Sequence, residues 1–334
     1  MECSDIRINK MIVHILDSTV GMPVLADVPL EYESGFGDLI RGHLVKILTS
    51  DERKKCEFYP DSLVLEWMNQ YNQDNFVTSS KQLADRLYGI MNSNLDIPAA
   101  DLIVVEFSIS QKGYLGLLKM NYKPSYTHYT EPHVAGNQND IILQKAILPS
   151  ESQKLSEAVI IDLTDYKVQV LEKKYEINGV KENYLSKHFL QCQSKLSQKT
   201  KVAIVTKAVE EINQKYYEGE FDKQLEAKSA INQQLEETGS IDLKKVTDEL
   251  YKERAELKEE FNEKMEKYQI EEVVTVENKQ TTRRFEKQHI TTDTGIEIKI
   301  PMEQYKSGDS VEFITNPDGT ISVLLKNVGK IKTR

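Results

Sequence analysis

The sequence has no long apolar run and no secretion signal. Its longest apolar runs, such as Leu102–Val105 and Ala158–Ile161, are only four residues long, whereas a membrane-spanning helix needs about 20. The opening segment MECSDIRINK lacks an apolar signal core, so export is not expected. The sequence therefore predicts a soluble cytoplasmic protein with no membrane partner.

Cysteine is scarce, and the common catalytic motifs are missing. Cys3, Cys56 and Cys192 are widely spaced and form no CxxC pair, which favours reduced thiols over disulfides or a cysteine zinc site. There is no GxxxxGK[ST], GxGxxG, GxSxG or HExxH motif, so P-loop hydrolysis, dinucleotide binding and the common hydrolase designs lose support. We predict a binding protein more readily than an enzyme, with no cofactor and no metal.

Charge is distributed unevenly along the chain. The formal net charge is −10, from 53 acidic and 43 basic residues. Residues 173–207 nevertheless carry eight lysines against two glutamates, residues 210–272 have a net charge of −9, and residues 279–334 have a net charge of +3. The chain alternates acidic and basic blocks, so its net charge does not describe each region.

Residue periodicity predicts an α+β fold in three parts. Residues 1–178 are expected to form a mainly antiparallel sheet with packed helices, residues 179–272 a helical domain, and residues 273–334 a small β-rich unit. Expected details include a strand at Val24–Leu30, a helix that begins near Thr78–Ser80, and a hairpin at Gln111–Gly113 with Gly113 at positive φ. Asn316–Gly319 is the strongest hairpin signal in the tail.

The helical part contains an apolar seam near heptad spacing. Its members are Leu243, Val246, Leu250, Leu257, Phe261 and Met265. One interpretation is that this seam packs within its own domain. The other is that it self-associates and makes the protein a homodimer.

Two sets of residues have the types that bind metal ions. His128, Glu131 and His133 lie in the run SYTHYTEPH, which we predict to be a loop. This set lacks a third firm ligand, and histidines in such a loop are usually solvated or structural. Asp162 and Glu172-x-Lys174 follow the order used by metal-dependent nucleases, in which acids hold the metal and lysine steadies the attacking water. This second pattern is short and common by chance, and a strand end followed by a solvated Glu-Lys-Lys run is the simpler explanation.

The basic stretch 173–207 points to DNA. Lysine is a flexible point charge suited to phosphate contacts rather than to reading base edges. The predicted phosphate contacts are Lys173, Lys174, Lys181, Lys187, Lys195, Lys199 and Lys201, with Arg283 and Arg284 as a second patch. The arginine pair lies in a polar run that we predict to be a lightly ordered connector. It could contact phosphates or dock on the acidic helices, because guanidinium groups pair with carboxylates as well as phosphates.

Several segments resemble the bacterial nucleoid-associated protein family of the NdpA type. The resemblance lies in the Ile12–Leu16 strand with its Asp17-Ser18 turn, the region from Tyr129 to Asp162-Leu163-Thr164, the run Val170–Lys174 leading into Tyr184–Cys192, and the β-rich tail. One departure is Glu172-Lys173-Lys174, where the family usually has a basic residue, Gly and Arg.

The resemblance implies a cytoplasmic protein found with the nucleoid, which binds double-stranded DNA without sequence preference and without known catalysis. Two other classes stay open. One is a metal-dependent nuclease using Asp162, Glu172 and Lys174, and the other is an interaction scaffold whose acidic helices bind a protein partner.

Overall fold

The computed structural model describes residues 1–17, 21–134, 136–217, 221–306 and 309–331. These residues fall into two compact units, residues 1–196 and 197–334. Within the described ranges, no helix combines the length and the apolar character needed to cross a bilayer.

The first unit is built around one antiparallel sheet. Its strands in chain order are β1 Ile6–Leu16, β2 Lys54–Phe58, β3 Ala100–Ile109, β4 Lys112–Asn121, β5 Lys123–His133, β6 Gly136–Ile147, β7 Ala158–Asp162, β8 Val168–Leu171, β9 Lys174–Ile177, β10 Val180–Asn183 and β11 Cys192–Ser194. Seven of these form the sheet in the order β1-β3-β4-β7-β8-β2-β11, while β5–β6 and β9–β10 are separate hairpins. All the pairings are antiparallel.

Helices cover both faces of this sheet, which explains the long apolar runs in its central strands. The helices are α1 Ser34–Leu48, α2 Leu63–Gln70 and α3 Phe76–Ser93. Side chains alternate across a strand, so Leu102 and Val104 pack on the α3 side and Ile103 and Val105 on the α1 side. A strand buried on both faces reads as a continuous apolar run.

The second unit surrounds a helical core with short hairpins. It contains α4 Gln198–Tyr216, α5 Phe221–Thr238, β12 Ser240–Asp242, α6 Leu243–Leu250, α7 Ala255–Lys267, β13 Val273–Thr275, α8 Lys279–Glu286, β14 Lys287–Thr291, β15 Glu297–Pro301, α9 Met302–Lys306, β16 Val311–Thr315 and β17 Ile321–Leu325. The predicted seam is divided between α6 and α7. Its members are buried or half-buried in the core of this unit, so they are not available as a dimer interface.

The structure confirms the α+β class and the mainly antiparallel sheet, while the three predicted domain boundaries stay a prediction. Segment 179–196, assigned above to the helical part, carries β11, which pairs with β2 in the first unit. In the resemblance at the amino terminus, the strand is present as part of β1, and Ser18 of the adjoining turn lies outside the described residues.

Several local expectations were wrong. Val24–Leu30 forms no strand beyond a single bridge between Ile15 and Val24. Helix α3 begins at Phe76 rather than near Thr78–Ser80. In the β3–β4 turn the left-handed residues are Ser110 and Gln111, with φ of 48° and 70°, and Gly113 lies within β4 outside the left-handed region.

Two segments are more ordered than predicted. The run SYTHYTEPH forms most of strand β5 instead of a loop. The expected connector around Arg283 is helix α8, capped by the Asn278 side chain, which accepts from the Gln280 amide.

His14 joins β1 to α3 as a buried neutral imidazole. The Ala26 amide donates to Nδ1 at 3.1 Å, so the ring proton lies on Nε2, which is 3.0 Å from the Ser80 hydroxyl. Burial, helped by the charge of Lys81, lowers the pKa of His14 from 6.5 to about 4. Between these two values the unfolded chain binds a proton that the folded chain does not, so stability is lost as the pH falls.

We predict that His14→Gln flattens the acid side of the stability profile. In the wild-type chain this histidine should reduce the free energy of unfolding by about 2 kcal/mol between pH 7 and pH 5. Urea denaturation of the first-unit transition at the two pH values measures this difference. The matched control is His128→Gln, which changes an exposed histidine. Equal pH dependence in both variants would contradict the assignment.

Candidate nucleic-acid interface

A short hairpin, β9–β10, carries two of the predicted lysines. Asn178 and Gly179 form its turn with φ of 51° and 82°, the left-handed pair that a two-residue hairpin turn requires. Alternation turns Tyr175 and Ile177 toward the core. Lys174 on β9 and Lys181 on β10 are exposed.

A buried polar network fixes this hairpin to the sheet. The fully buried Glu157 carboxylate accepts hydrogen bonds from Lys119 Nζ at 3.2 Å, Asn121 Nδ2 at 2.7 Å, Tyr175 Oη at 3.0 Å and Tyr184 Oη. Desolvation lowers the pKa of Lys119, and the nearby Glu157 charge opposes that shift. Because Tyr175 lies within β9 and Tyr184 directly follows β10, the network holds both strands of the hairpin at its base.

Glu172 anchors the segment that follows the hairpin. Its side chain is fully buried and pairs with Lys54 Nζ at 3.0 Å. It also accepts from the Ser186 amide at 2.9 Å and the Ser186 hydroxyl at 2.7 Å, and so caps the single π-helical turn Leu185–Leu190. The run Tyr184–Cys192 of the family resemblance therefore contains a π-helical turn followed by the start of β11.

Lys173 lies in a cationic cleft that the sequence did not reveal. The cleft has a volume of about 230 Å³, and its lining includes Lys46, Lys154 and Lys173 together with Glu52. Lys46 comes from the end of α1 and donates to the Glu151 carbonyl. The three lysines are far apart in sequence, so a count of charge along the chain could not bring them together.

The remaining predicted lysines do not extend this surface uniformly. In the first unit, Lys187 pairs with Glu182, and Lys195 pairs with Glu57 at 3.1 Å. In the second unit, Lys199 is exposed on α4. Lys201 is only 6% exposed and pairs with Glu271, so it cannot reach a phosphate in this conformation. The linear stretch of lysines is therefore not one continuous patch.

The two arginines differ in their contacts rather than in their exposure. Arg283 and Arg284 are both exposed on α8. The Arg284 guanidinium lies 4.6 Å from the ring centroid of Phe285, which is buried in the core of the second unit. Desolvation lowers the pKa of Arg284, although the charge of Glu210 opposes this. Arg284 is thus held against its own unit.

The candidate metal ligands are not gathered around one point. His128 and His133 occupy opposite faces of β5, because their separation of five residues is odd. Asp162 lies at the end of β7 beside the β7–β8 turn, where it pairs with Lys112. Glu172 follows the far end of β8, beyond the Ala158–Leu171 pairing. Within the described ranges, no group of three or more His, Cys, Asp or Glu residues could hold a metal ion.

Comparison with known proteins gives one match that spans nearly the whole chain. The family model described as nucleoid-associated protein YejK matches residues 12–332. No curated protein shows significant similarity to the chain. The matched region includes the β9–β10 hairpin, the cleft and α8.

We predict that Lys119→Met destabilises the first unit by roughly 3–5 kcal/mol, since it leaves the Glu157 carboxylate buried without its counter-charge. The double variant Lys119→Met with Glu157→Gln should be more stable than the single variant, because the buried charge is removed together with its partner. Urea denaturation measures both. A double variant no more stable than Lys119→Met would show that the ion pair does not dominate the network.

Proposed function

The chain belongs to the family of nucleoid-associated protein YejK, and on that basis we propose that it binds double-stranded DNA through the phosphate backbone, without sequence preference and without catalysis. In this proposal the protein acts in the cytoplasm, at the nucleoid. The observation that best supports this proposal is the set of lysines at the β9–β10 hairpin and in the cleft.

Lys174 and Lys181 support the proposal through their position on the hairpin. Both ammonium groups are exposed, on a ribbon whose opposite face is tied to the core by Tyr175 and Ile177. Glu176, the cross-strand neighbour of Lys181, and Glu182, which pairs with Lys187, balance these two lysines, so the positive charge of this surface depends on Lys173 beside the hairpin. Lysine ammonium groups at the ends of flexible side chains, on a hairpin that is packed against the core, are suited to contact a phosphate backbone.

Lys173 extends the positive charge toward Lys46 and Lys154 in the cleft. These are point charges without the planar geometry that reads guanine edges, so the surface favours sequence-tolerant binding. Lys187 and Lys195 are weaker contributors in this proposal, because each already neutralises a carboxylate. The net charge of −10 should keep binding weak and strongly dependent on salt.

The positions of the acids support binding without nuclease chemistry. Glu172 is committed to Lys54 and to capping the π-helical turn. About four residues of strand, on the order of 13 Å, separate it from Asp162 along β8. The two carboxylates therefore cannot share one metal ion in this conformation.

We predict that Lys173→Gln with Lys174→Gln weakens DNA binding and lowers the salt dependence. Each lost phosphate contact should reduce the slope of log affinity against log salt by about 0.9, so the double variant should lose about 2. Gel-shift titrations of a random-sequence duplex at several salt concentrations measure this slope. The same titrations with magnesium and supercoiled plasmid should leave the plasmid unnicked.

The matched control is Lys81→Gln with Lys167→Gln, which removes the same charge from two lysines paired with Asp27 and Asp165. It should leave the slope unchanged. Equal effects from both double variants would indicate a response to net charge rather than contact. Wild-type protein that fails to bind DNA at low salt would favour the interaction scaffold.

A second prediction separates the two arginines of α8. Arg283→Ala should lower the salt slope by about 1 without changing thermal stability, because its exposed guanidinium would contact phosphate only. Arg284→Ala should leave DNA affinity unchanged and cost about 1 kcal/mol, because it loses the contact with Phe285. Paired gel-shift and thermal-unfolding measurements test this. Reversed effects would place the DNA contact at Arg284 instead.

A further inference from the structure

The first unit contains another cleft, which we call the β3 cleft, beside the turn that joins β3 to β4. It has a volume of about 500 Å³. Strands β1 and β3 contribute Arg7, Asn9, Glu106 and Ser108 to its lining, and the segment 71–73 after α2 forms another wall. Side chains from distant parts of the chain therefore meet in a space the size of a small-molecule site, for which roughly 300–1,000 Å³ is typical.

A β-bulge in β1 turns polar side chains into the β3 cleft. Ile8 and Met11 both pack on the α1 side of the sheet, although regular alternation would put residues three apart on opposite faces. The register shift between Ile8 and Lys10 accounts for this. Arg7 precedes the shift, so it faces the α3 side and the cleft. Bulges that redirect side chains in this way are common next to functional sites.

Glu106 is a buried charge in the lining of the β3 cleft. The residue is only 3% exposed. Within the described part of the chain, its carboxylate accepts a hydrogen bond from the Tyr71 hydroxyl alone. A carboxylate has about four acceptor positions, and a buried one needs partners because it has lost its water. Glu157, by comparison, accepts from four side chains, one of them a lysine.

The lysine opposite Glu106 in the sheet points elsewhere. Lys10 is its cross-strand neighbour, but the Lys10 ammonium donates to the Gln73 carbonyl at 2.5 Å and lies 6.0 Å from the ring centroid of Phe76. Burial, the hydrogen bond to Glu106 and the charge of Glu106 raise the pKa of Tyr71, so its phenol remains a neutral donor. The other acceptor positions of Glu106 are thus left for a group in the cleft.

The charges that line the cleft favour a cationic ligand. Asp5 and Glu106 outnumber Arg7, which disfavours phosphates and other anions. An ammonium group offers three donors and forms charge-assisted hydrogen bonds with a carboxylate, which are stronger than neutral ones. A metal ion fits less well, because no group of three or more His, Cys, Asp or Glu residues in the described ranges could hold one.

We propose that the β3 cleft binds a small organic molecule through a protonated primary amine that donates to the Glu106 carboxylate. The Tyr71 hydroxyl keeps its hydrogen bond to the same carboxylate. Asn9, Asn72 and Ser108 supply amide and hydroxyl groups for the rest of the ligand. This site is separate from the DNA proposal, since the lysines of that proposal are not among the described residues that line the β3 cleft.

The test uses putrescine, a four-carbon diamine, and 1,4-butanediol, its uncharged counterpart of the same length. Ligand-detected NMR titrations of the full-length chain without DNA, over about 0.1–10 mM ligand, should show saturable binding of putrescine at neutral pH. The diol should bind at least about tenfold more weakly, because it cannot form charge-assisted hydrogen bonds.

Glu106→Gln removes the carboxylate charge and keeps an oxygen that can accept from Tyr71. It should weaken putrescine binding by at least about tenfold without changing the circular dichroism spectrum. The matched control is Glu131→Gln, which removes the same charge from an exposed position on β5 and should bind putrescine like the wild-type chain.

Gly113→Val tests the cleft while leaving Glu106 intact, and it decides the matter if Glu106→Gln fails to fold. Gly113 lies opposite Ser108 in the sheet, so an added side chain would occupy the cleft. A Cβ atom there would lie 3.6 Å from Leu163 Cδ1, an ordinary contact, and the backbone is outside the left-handed region. Valine is favourable in a strand, so the variant should fold and lose putrescine binding.

Four results would overturn the proposal. They are wild-type protein that does not bind putrescine, equal binding of the diamine and the diol, unchanged putrescine binding in Glu106→Gln, and unchanged binding in a folded Gly113→Val chain. Competition of magnesium ions with putrescine, lost in Glu106→Gln, would assign the cleft to a metal ion instead.

Discussion

The buried Glu157 carboxylate imposes the strongest constraint on the first unit. A carboxylate removed from water is tolerated only when it is paired and fully hydrogen-bonded, and here Lys119, Asn121, Tyr175 and Tyr184 meet that need. Asn121 is the last residue of β4, from which the β5–β6 hairpin departs, while Tyr175 lies within β9 and Tyr184 directly follows β10. The hydrogen bonds that the buried Glu157 charge requires therefore hold the bases of the β5–β6 and β9–β10 hairpins.

The sequence predicted the fold well where burial determines the pattern. Strands β3 and β4 flank the hairpin predicted at Gln111–Gly113, and their continuous apolar runs are typical of strands covered on both faces. Prediction from the sequence failed for segments whose side chains are not buried. Strand β5 is exposed on both faces, so its polar and aromatic residues show no pattern that distinguishes it from a loop. The π-helical turn depends on the distant carboxylate of Glu172, which no local pattern reveals.

Only part of the candidate site could be predicted from the sequence, because counting charges along the chain does not show which way each side chain points. Lys201 belongs to a helix on which Val205, Ala208 and Ile212 follow at spacings of four, seven and eleven residues, all buried. That periodicity places Lys201 on the inner face and could have excluded it. Lys46 and Lys154 carry no such signal, because only tertiary packing brings them to Lys173.

The local distribution of charge reconciles an acidic chain with the proposed DNA-binding role. The net charge of −10 is an average over regions of opposite sign, whereas a DNA contact depends on the charge that the phosphates meet locally. In the cleft, three lysines lie beside one glutamate, Glu52, and Lys173 links them to the lysines of the β9–β10 hairpin. Contacts of this number give weak binding that falls as salt rises, which is the behaviour expected of an acidic chain that meets DNA through a small basic region.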